Sequence, residues 1–234
     1  MYYIIRVFIL YGKETHPESK RRKIDFNLFK RYASILKSST FRNYALVCIC
    51  AQGVLFGFFS LSPHLIIGEL HFREQEFSVF FGVNALCYLS GAFSSGYLLN
   101  RKGPGTVIFI GSLTVLGAGL SMFSGYLLVG FNIWTLMIPS VIASAGVAMM
   151  MGPASANAVA PFNNYVGTAT ALLGCIECAG GSLIGNLLTM LPLHNQLPLA
   201  LNLLGTGSVA LLALLSVRGF AEIRKGFSGK KARP

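Results

Sequence analysis

Charge is what this sequence has least of. Only 12% of its 234 residues are Asp, Glu, Lys or Arg, about half of what a soluble domain spreads over its surface. Acids are the scarcer sign, eight against 19 Lys and Arg, and Glu177 is the sole charged side chain between Thr106 and Val217. Polar and apolar residues do not alternate along the neutral runs, which excludes transmembrane strands, and an open sheet could not satisfy its backbone in lipid. The five cysteines (Cys48, Cys50, Cys87, Cys175, Cys178) fall inside predicted helices. There they act as small apolar residues and supply no disulfide framework. A cleaved leader is not expected either: Arg6 interrupts the apolar Tyr2–Tyr11 stretch, and no small-residue cleavage site follows.

What the chain does have is long apolar sequence. Asn43 to Gly68, Phe77 to Leu99 and Thr106 to Val217 hold one ionised residue between them. Roughly 20 apolar residues cross a bilayer as a helix, so these runs hold one, one and about four spans. The expected fold class is an all-α polytopic membrane protein with six transmembrane helices. Residues 1–42 are read as the end of a preceding helix (Met1 to Gly12, too short to span) followed by a basic linker. Residues 43–217 form the six-helix bundle and 218–234 a basic tail. In the linker, Ile24, Leu28, Tyr32, Ile35 and Leu36 recur at helical spacing. That pattern fits either an amphipathic helix on the membrane surface or a solvated linker held near anionic lipid by its charge. A net charge of +11 could suggest nucleic acid, but the basic residues cluster beside the spans, where they set orientation. With linker, Arg101-Lys102 turn and tail on the cytoplasmic side, 18 of 19 Lys and Arg are inside and Arg73 is outside.

The turn Gly96-Tyr97-Leu98-Leu99-Asn100-Arg101-Lys102-Gly103 resembles the G-x-L-x-D-R-x-G signature between the second and third helices of each half of major facilitator superfamily transporters. Gly96, Leu98, Arg101 and Gly103 match, Asn100 stands where the family has Asp, and Pro104-Gly105 replace the usual basic pair. A glycine at this place allows close helix contact, and the arginine can bond carbonyls at a neighbouring helix end; a positive-inside anchor with a glycine turn needs no family at all. Further along, Gly152-Pro153, Asn157-Ala158 and Gly167-Thr168-Ala169-Thr170-Ala171-Leu172-Leu173-Gly174 are similar to the tenth and eleventh helices of the Bcr/CflA drug-resistance branch. The resemblance covers nearly the whole chain and implies the C-terminal half of such a transporter. It further implies drug/proton antiport across a bacterial inner membrane, with both termini cytoplasmic. By the same resemblance, spans one, two, four and five line the substrate cavity.

Candidate site residues follow from position. Glu177 lies near the middle of the fifth span, and an ionisable residue there is a functional candidate by default. Small residues at Gly167, Ala171, Gly174, Cys178, Gly181 and Gly185 form a stripe that Glu177 borders, which turns it toward a neighbouring helix. It is read either as a proton-carrying or cation-binding carboxylate, or as a protonated acid hydrogen-bonded to the next helix. Gln52 and Asn84 are the mid-helix polar residues of spans one and two. Phe56, Phe58, Phe59, Phe81, Tyr88 and the run Met149, Met150, Met151 are of types that line adaptable apolar cavities, though they also fill any bundle core. Cys175-x-x-Cys178 lacks the further ligands a metal site needs, so neither metal nor cofactor is expected.

The leading reading is proton-coupled efflux of drugs or small amphipathic molecules. The expected partners are lipid, protons, a small-molecule substrate and a second six-helix half, supplied as a homodimer or as an N-terminal half. The alternative is a truncated half that does not transport and at most assembles with another subunit. An intramembrane enzyme is disfavoured, since no Ser-His pair, paired carboxylate or metal-ligand set accompanies Glu177.

Overall fold

In the computed structural model, residues 28–163, 165–191 and 194–230 are described, with side chains from residue 30 to 216. The proposed helix remnant, the first half of the basic linker and the last four residues lie outside them. The described chain runs α1 (Leu28–Lys37), α2 (Ser39–Pro63), α3 (Glu74–Lys102), α4 (Pro104–Val129), α5 (Ile133–Val159), α6 (Val166–Thr189) and α7 (Leu197–Lys230). Six of these, α2 to α7, are long and apolar enough to cross a membrane.

Local chemistry sets the boundaries. Ser38 Oγ accepts from the Phe41 N–H at 3.4 Å and caps α2. Pro63 has no N–H to continue the ladder, and the helix leaves α geometry there for a π segment, His64–Glu69. Glu76 Oε2 accepts from the Arg73 N–H at 2.9 Å at the start of α3. Gly103, at φ +77°, ends α3, and Pro104 opens α4 at its first position. That dihedral is one L side chains avoid. The Asn132 side chain caps α5 through the Trp134 and Thr135 N–H groups, both at 3.0 Å.

α5 is helical through both of its prolines, Pro139 and Pro153, and one expectation about a helix end shifts. α7 does not stop at Val217; its backbone stays helical to Lys230. The amphipathic stretch forms α1, and its Ile35 is fully buried at the end of the bundle.

Helices that are neighbours in sequence mostly avoid each other, α4 and α5 excepted. α2 packs against α5, α6 and α7; α5 packs against α2, α3 and α4; α4 packs against α7. Exchanging α2 with α5, α3 with α6 and α4 with α7 leaves this set of partners unchanged. Three crossings reverse the chain direction, so the two three-helix units are related as inverted repeats. α2 and α5 form the centre of the bundle, while α3 and α6 sit outside it with one main partner each. Only 11% of the most apolar window of α3 and 22% of that of α6 are buried, against 61% in α2.

Close backbone approach and a few buried polar staples hold the centre, as expected where lipid offers no hydrophobic drive between helices. A Cβ on Gly91 would meet the Ala145 carbonyl oxygen, so α3 and α5 touch backbone to backbone there. Asn202 Nδ2 donates to the Gly53 carbonyl at 3.1 Å, joining α7 to α2. Gln196, fully buried, donates to the Met122 carbonyl at 3.1 Å and accepts from Thr135 Oγ1 at 3.0 Å.

Candidate functional site

Two features stand out, and α2 carries a part of both. The first is the seam between α2 and α6. Along α6, Ala169, Leu173, Gly181 and Gly185 are buried at four-residue steps, an i±4 ridge of a helix, and beside that ridge Gly180, Ile184 and Leu188 also meet α2. Glu177 occupies the missing step of that ridge. It therefore sits within the seam and not at its border. The small-residue stripe expected from sequence holds only at one end: Gly181 and Gly185 pack on α2, while Gly167 and Gly174 have open space beside them and Cys178 is exposed. The 4, 3, 4, 3 spacing drifts around the helix, and a tilted neighbour follows the straight i±4 row instead.

The Glu177 carboxyl faces the Cys48 thiol of α2, and its Oε2 is buried with no partner. Cys48 is fully buried. Gln52 and Phe56 lie one and two turns along the same face of α2, and a Cβ on Gly181 would stand 2.7 Å from Gln52 Cβ and 2.9 Å from Phe56 Cδ2. The seam thus brings Glu177 together with Cys48 and places Gln52 beside it. Sequence reasoning missed Cys48, since a cysteine in an apolar run carries no sign of a partner about 130 residues away.

The second feature is a cavity of about 380 Å³ between α2, α3 and α5, within the usual range of small-molecule sites. Phe58, Phe59, Phe81, Asn84, Tyr88 and Ser144 line it. Ser144 Oγ donates to Asn84 Oδ1, a bond between two buried side chains on α5 and α3. The phenolic oxygen of Tyr88 lies 3.7 Å from Met151 Sδ. Phe58 stacks on Phe81 at 6.4 Å, and Phe59 tilts against the same ring at 5.4 Å. The cavity begins two turns beyond Cys48 along α2, toward the α2–α3 connection, so the Cys48 end of the seam is about 10 Å from it along the helix axis.

Of the residues expected at the site, Asn84 and Tyr88 are in the cavity wall. Gln52 and Phe56 face α6 instead. Met150 is in neither place: it is fully buried between α4 and α5, its sulfur 3.6 Å from Ser112 Oγ. Met151, one residue on, is the methionine that reaches Tyr88. In the turn motif, Gly103 has the positive φ that requires glycine, whereas Gly96 has nothing packed within 4 Å among the described residues. Asn100 and Arg101 are exposed. Arg101 lies over the Tyr97 ring at 4.5 Å from its centre, within its own helix and not at a neighbour's carbonyls. A third cluster lies at the far end of α2, where Glu69 Oε1 is 3.2 Å from His194 Nδ1 and 3.7 Å from His64 Nε2. It ties the segment before α7 to the π turn after α2.

Comparison with known proteins places these features. The family model described as Major Facilitator Superfamily matches residues 2–185. The chain is 28% identical over 194 residues to multidrug resistance protein D of Escherichia coli (strain K12), covering 82% of this chain and 48% of that protein. It is 25% identical over 205 residues to a chloramphenicol resistance protein of Pseudomonas aeruginosa, covering 83% and 47% respectively. A bicyclomycin resistance protein homolog of Haemophilus influenzae is 25% identical over 195 residues, with 80% and 47% covered. The chain spans about half the length of the curated relatives it matches.

Proposed function

The chain belongs to the major facilitator superfamily, and on that premise we propose that it acts in proton-coupled efflux of drugs or other small amphipathic molecules across a bacterial inner membrane. The cavity between α2, α3 and α5 is the substrate site in this reading, and Glu177 is the proton site. Relatives named for drug resistance support the class of cargo. The observation that carries the reading is the setting of Glu177, an isolated acid at mid-span that faces one thiol and has a buried oxygen without a partner.

The chemistry follows from the cost of charge. A protonated Glu177 is neutral and can stay enclosed between α2 and α6. An ionised one is unfavourable there and favours a conformation in which water or a cation reaches it. Proton occupancy therefore biases the position of α6 against α2. The substrate cavity shares α2, and a ligand that binds one arrangement better is coupled to the proton through that helix. Carriers of this type work by rocking two bundles about a central site. The sparsely covered α3 and α6 suit contact with a second six-helix unit, either another copy of this chain or an N-terminal half.

The test is efflux of a fluorescent amphipathic dye from proteoliposomes under an imposed pH gradient. Gradient-driven flux, reduced at least tenfold by Glu177→Gln, is the expected result. No gradient-driven flux, or full flux in Glu177→Gln, overturns it. A second reading, an assembly subunit that does not itself transport, is favoured by the sparse cover of α3 and α6 within the bundle. It predicts flux only after co-reconstitution with a separate six-helix partner.

A further inference from the structure

We infer that α1 is a docking surface for anionic phospholipid. Its Lys30 and Lys37 meet headgroup phosphates at the end of the bundle, and Leu36 beside them enters the acyl boundary. The inference concerns a lipid partner and stands apart from the transport reading.

Charge is segregated between the two ends of the bundle. α2, α4 and α6 begin, and α3 and α5 finish, at the end where α1 sits. Among the described side chains that end holds Lys30, Arg31, Lys37, Arg42, Arg101 and Lys102, and no acid. Glu69, Glu74 and Glu76 lie at the opposite end with Arg73, and Glu177 is at mid-span. Lys30, Lys37, Arg42 and Lys102 are exposed, and no described acid is near enough to neutralise them. The first turns of α2, α4 and α6 contain no acid either, so their dipoles add to the same positive field. That field attracts anions within about a Debye length, ~10 Å at 0.1 M salt.

The shape of α1 decides which anion. Ser38, extended at ψ 119°, separates α1 from α2, and α1 packs on both α2 and α6. Ile35 holds it there, fully buried. The apolar side of α1 is wider than the bundle covers, because Leu36, the next residue around the helix, is left 42% exposed. Lys30 and Lys37, seven residues apart, share a face nearly opposite Ile35, with Leu36 between that face and the docked one. A soluble acidic protein or a nucleic acid would complement the lysines and leave Leu36 in water. A bilayer surface satisfies both, since phosphates lie just above the first acyl carbons, and helices with a basic face and an uncovered apolar edge settle at that boundary. Each lysine held near an anionic surface strengthens binding by about fivefold.

Hydrogen–deuterium exchange of the full chain tests this, in nanodiscs of phosphatidylcholine alone and of phosphatidylcholine with about 30% phosphatidylglycerol. A helix as short as α1 is marginal by itself, so its amides report how firmly it is held. Exchange across residues 30–37 is expected to be at least fivefold slower in the anionic discs, and about 0.5 M salt should remove the difference. The double variant Lys30→Gln/Lys37→Gln should cut the difference at least threefold. Leu36→Ser, which keeps both charges, should at least halve it. Residues 74–78, at the opposite end, serve as the control for global stability and should exchange alike in both discs. Equal exchange of α1 in the two discs, or a full response in either variant, overturns the inference. So does equal slowing in pure phosphatidylcholine discs on adding inorganic phosphate or a soluble acidic peptide, which would assign the patch to a soluble anion or a protein.

Discussion

At Glu177 the governing fact is the poverty of its surroundings. A neighbouring thiol and one unpartnered buried oxygen are little compensation for a carboxyl group at mid-span. Removing the donor should be felt. Cys48→Val, which keeps the volume and deletes the donor, is expected to destabilise the chain by about 1–3 kcal/mol, the cost of leaving a buried polar group unmet. Cys48→Ser should recover most of that. The pair is isolated by a double-mutant cycle in mixed micelles: in a Glu177→Leu background, Cys48→Val should lose at least half of its effect. Full additivity would show that the two side chains do not communicate. The acid itself was legible in the sequence, because a lone charge in a long apolar run is conspicuous without any structure. Its partner was not, because Cys48 differs in no visible way from Cys50, which is also buried but has no such contact.

Between helices, glycine decides which faces meet. Gly91 and Gly96 look alike in the sequence of α3, five residues apart, and the structure separates them. A Cβ at position 91 would run into the backbone of Ala145, while one at position 96 meets open space. Gly91→Ala should therefore push α3 off α5 and cost about 1–3 kcal/mol, in line with other overpacked sites. Gly96→Ala should lie within about 0.5 kcal/mol of neutral or be mildly stabilising through helix propensity. Urea or thermal unfolding followed by far-ultraviolet dichroism reads both. Since α3 and α5 are two walls of the cavity, Gly91→Ala should also lower dye efflux. The helix count and the Gly103 turn could be read from local composition, whereas the cap at Asn132 was found only in the structure. The departure from α geometry after Pro63 was only half visible: a proline announces that the ladder breaks, but the π turn depends on how the following residues re-form it.

Across the whole molecule, the inverted repeat leaves α2 and α5 enclosed and α3 and α6 open. Thiol chemistry can test this directly, because the cysteines sample both kinds of site. Cys175 and Cys178 on α6 are exposed, whereas Cys48 and Cys50 on α2 are buried. N-ethylmaleimide applied to the folded chain should label the α6 pair and spare the α2 pair until the protein is unfolded, with mass spectrometry assigning the sites. Labelling of Cys48 before unfolding would show that the seam around Glu177 is not closed. Protection of Cys175 and Cys178 on adding a second six-helix partner would place that partner against α6, and continued labelling would place it elsewhere.

What the sequence determined by itself is what short stretches of chain decide locally. Six spans follow from apolar run lengths matched to the bilayer, the expected orientation from Lys and Arg beside them, and the prominence of Glu177 from the cost of charge in hydrocarbon. The family could be recognised as well, from a turn and a glycine-rich helix. What only the tertiary structure decided is which helices meet and in what register. Partners here are mostly two or more helices apart in the chain, and each contact depends on a tilted ridge seated against a neighbour whose position no local pattern encodes. That is why Glu177 faces Cys48, why Phe56 and Met150 turn away from a cavity that Phe58, Phe59, Phe81 and Tyr88 line, and why Ser144 is the residue that orients Asn84.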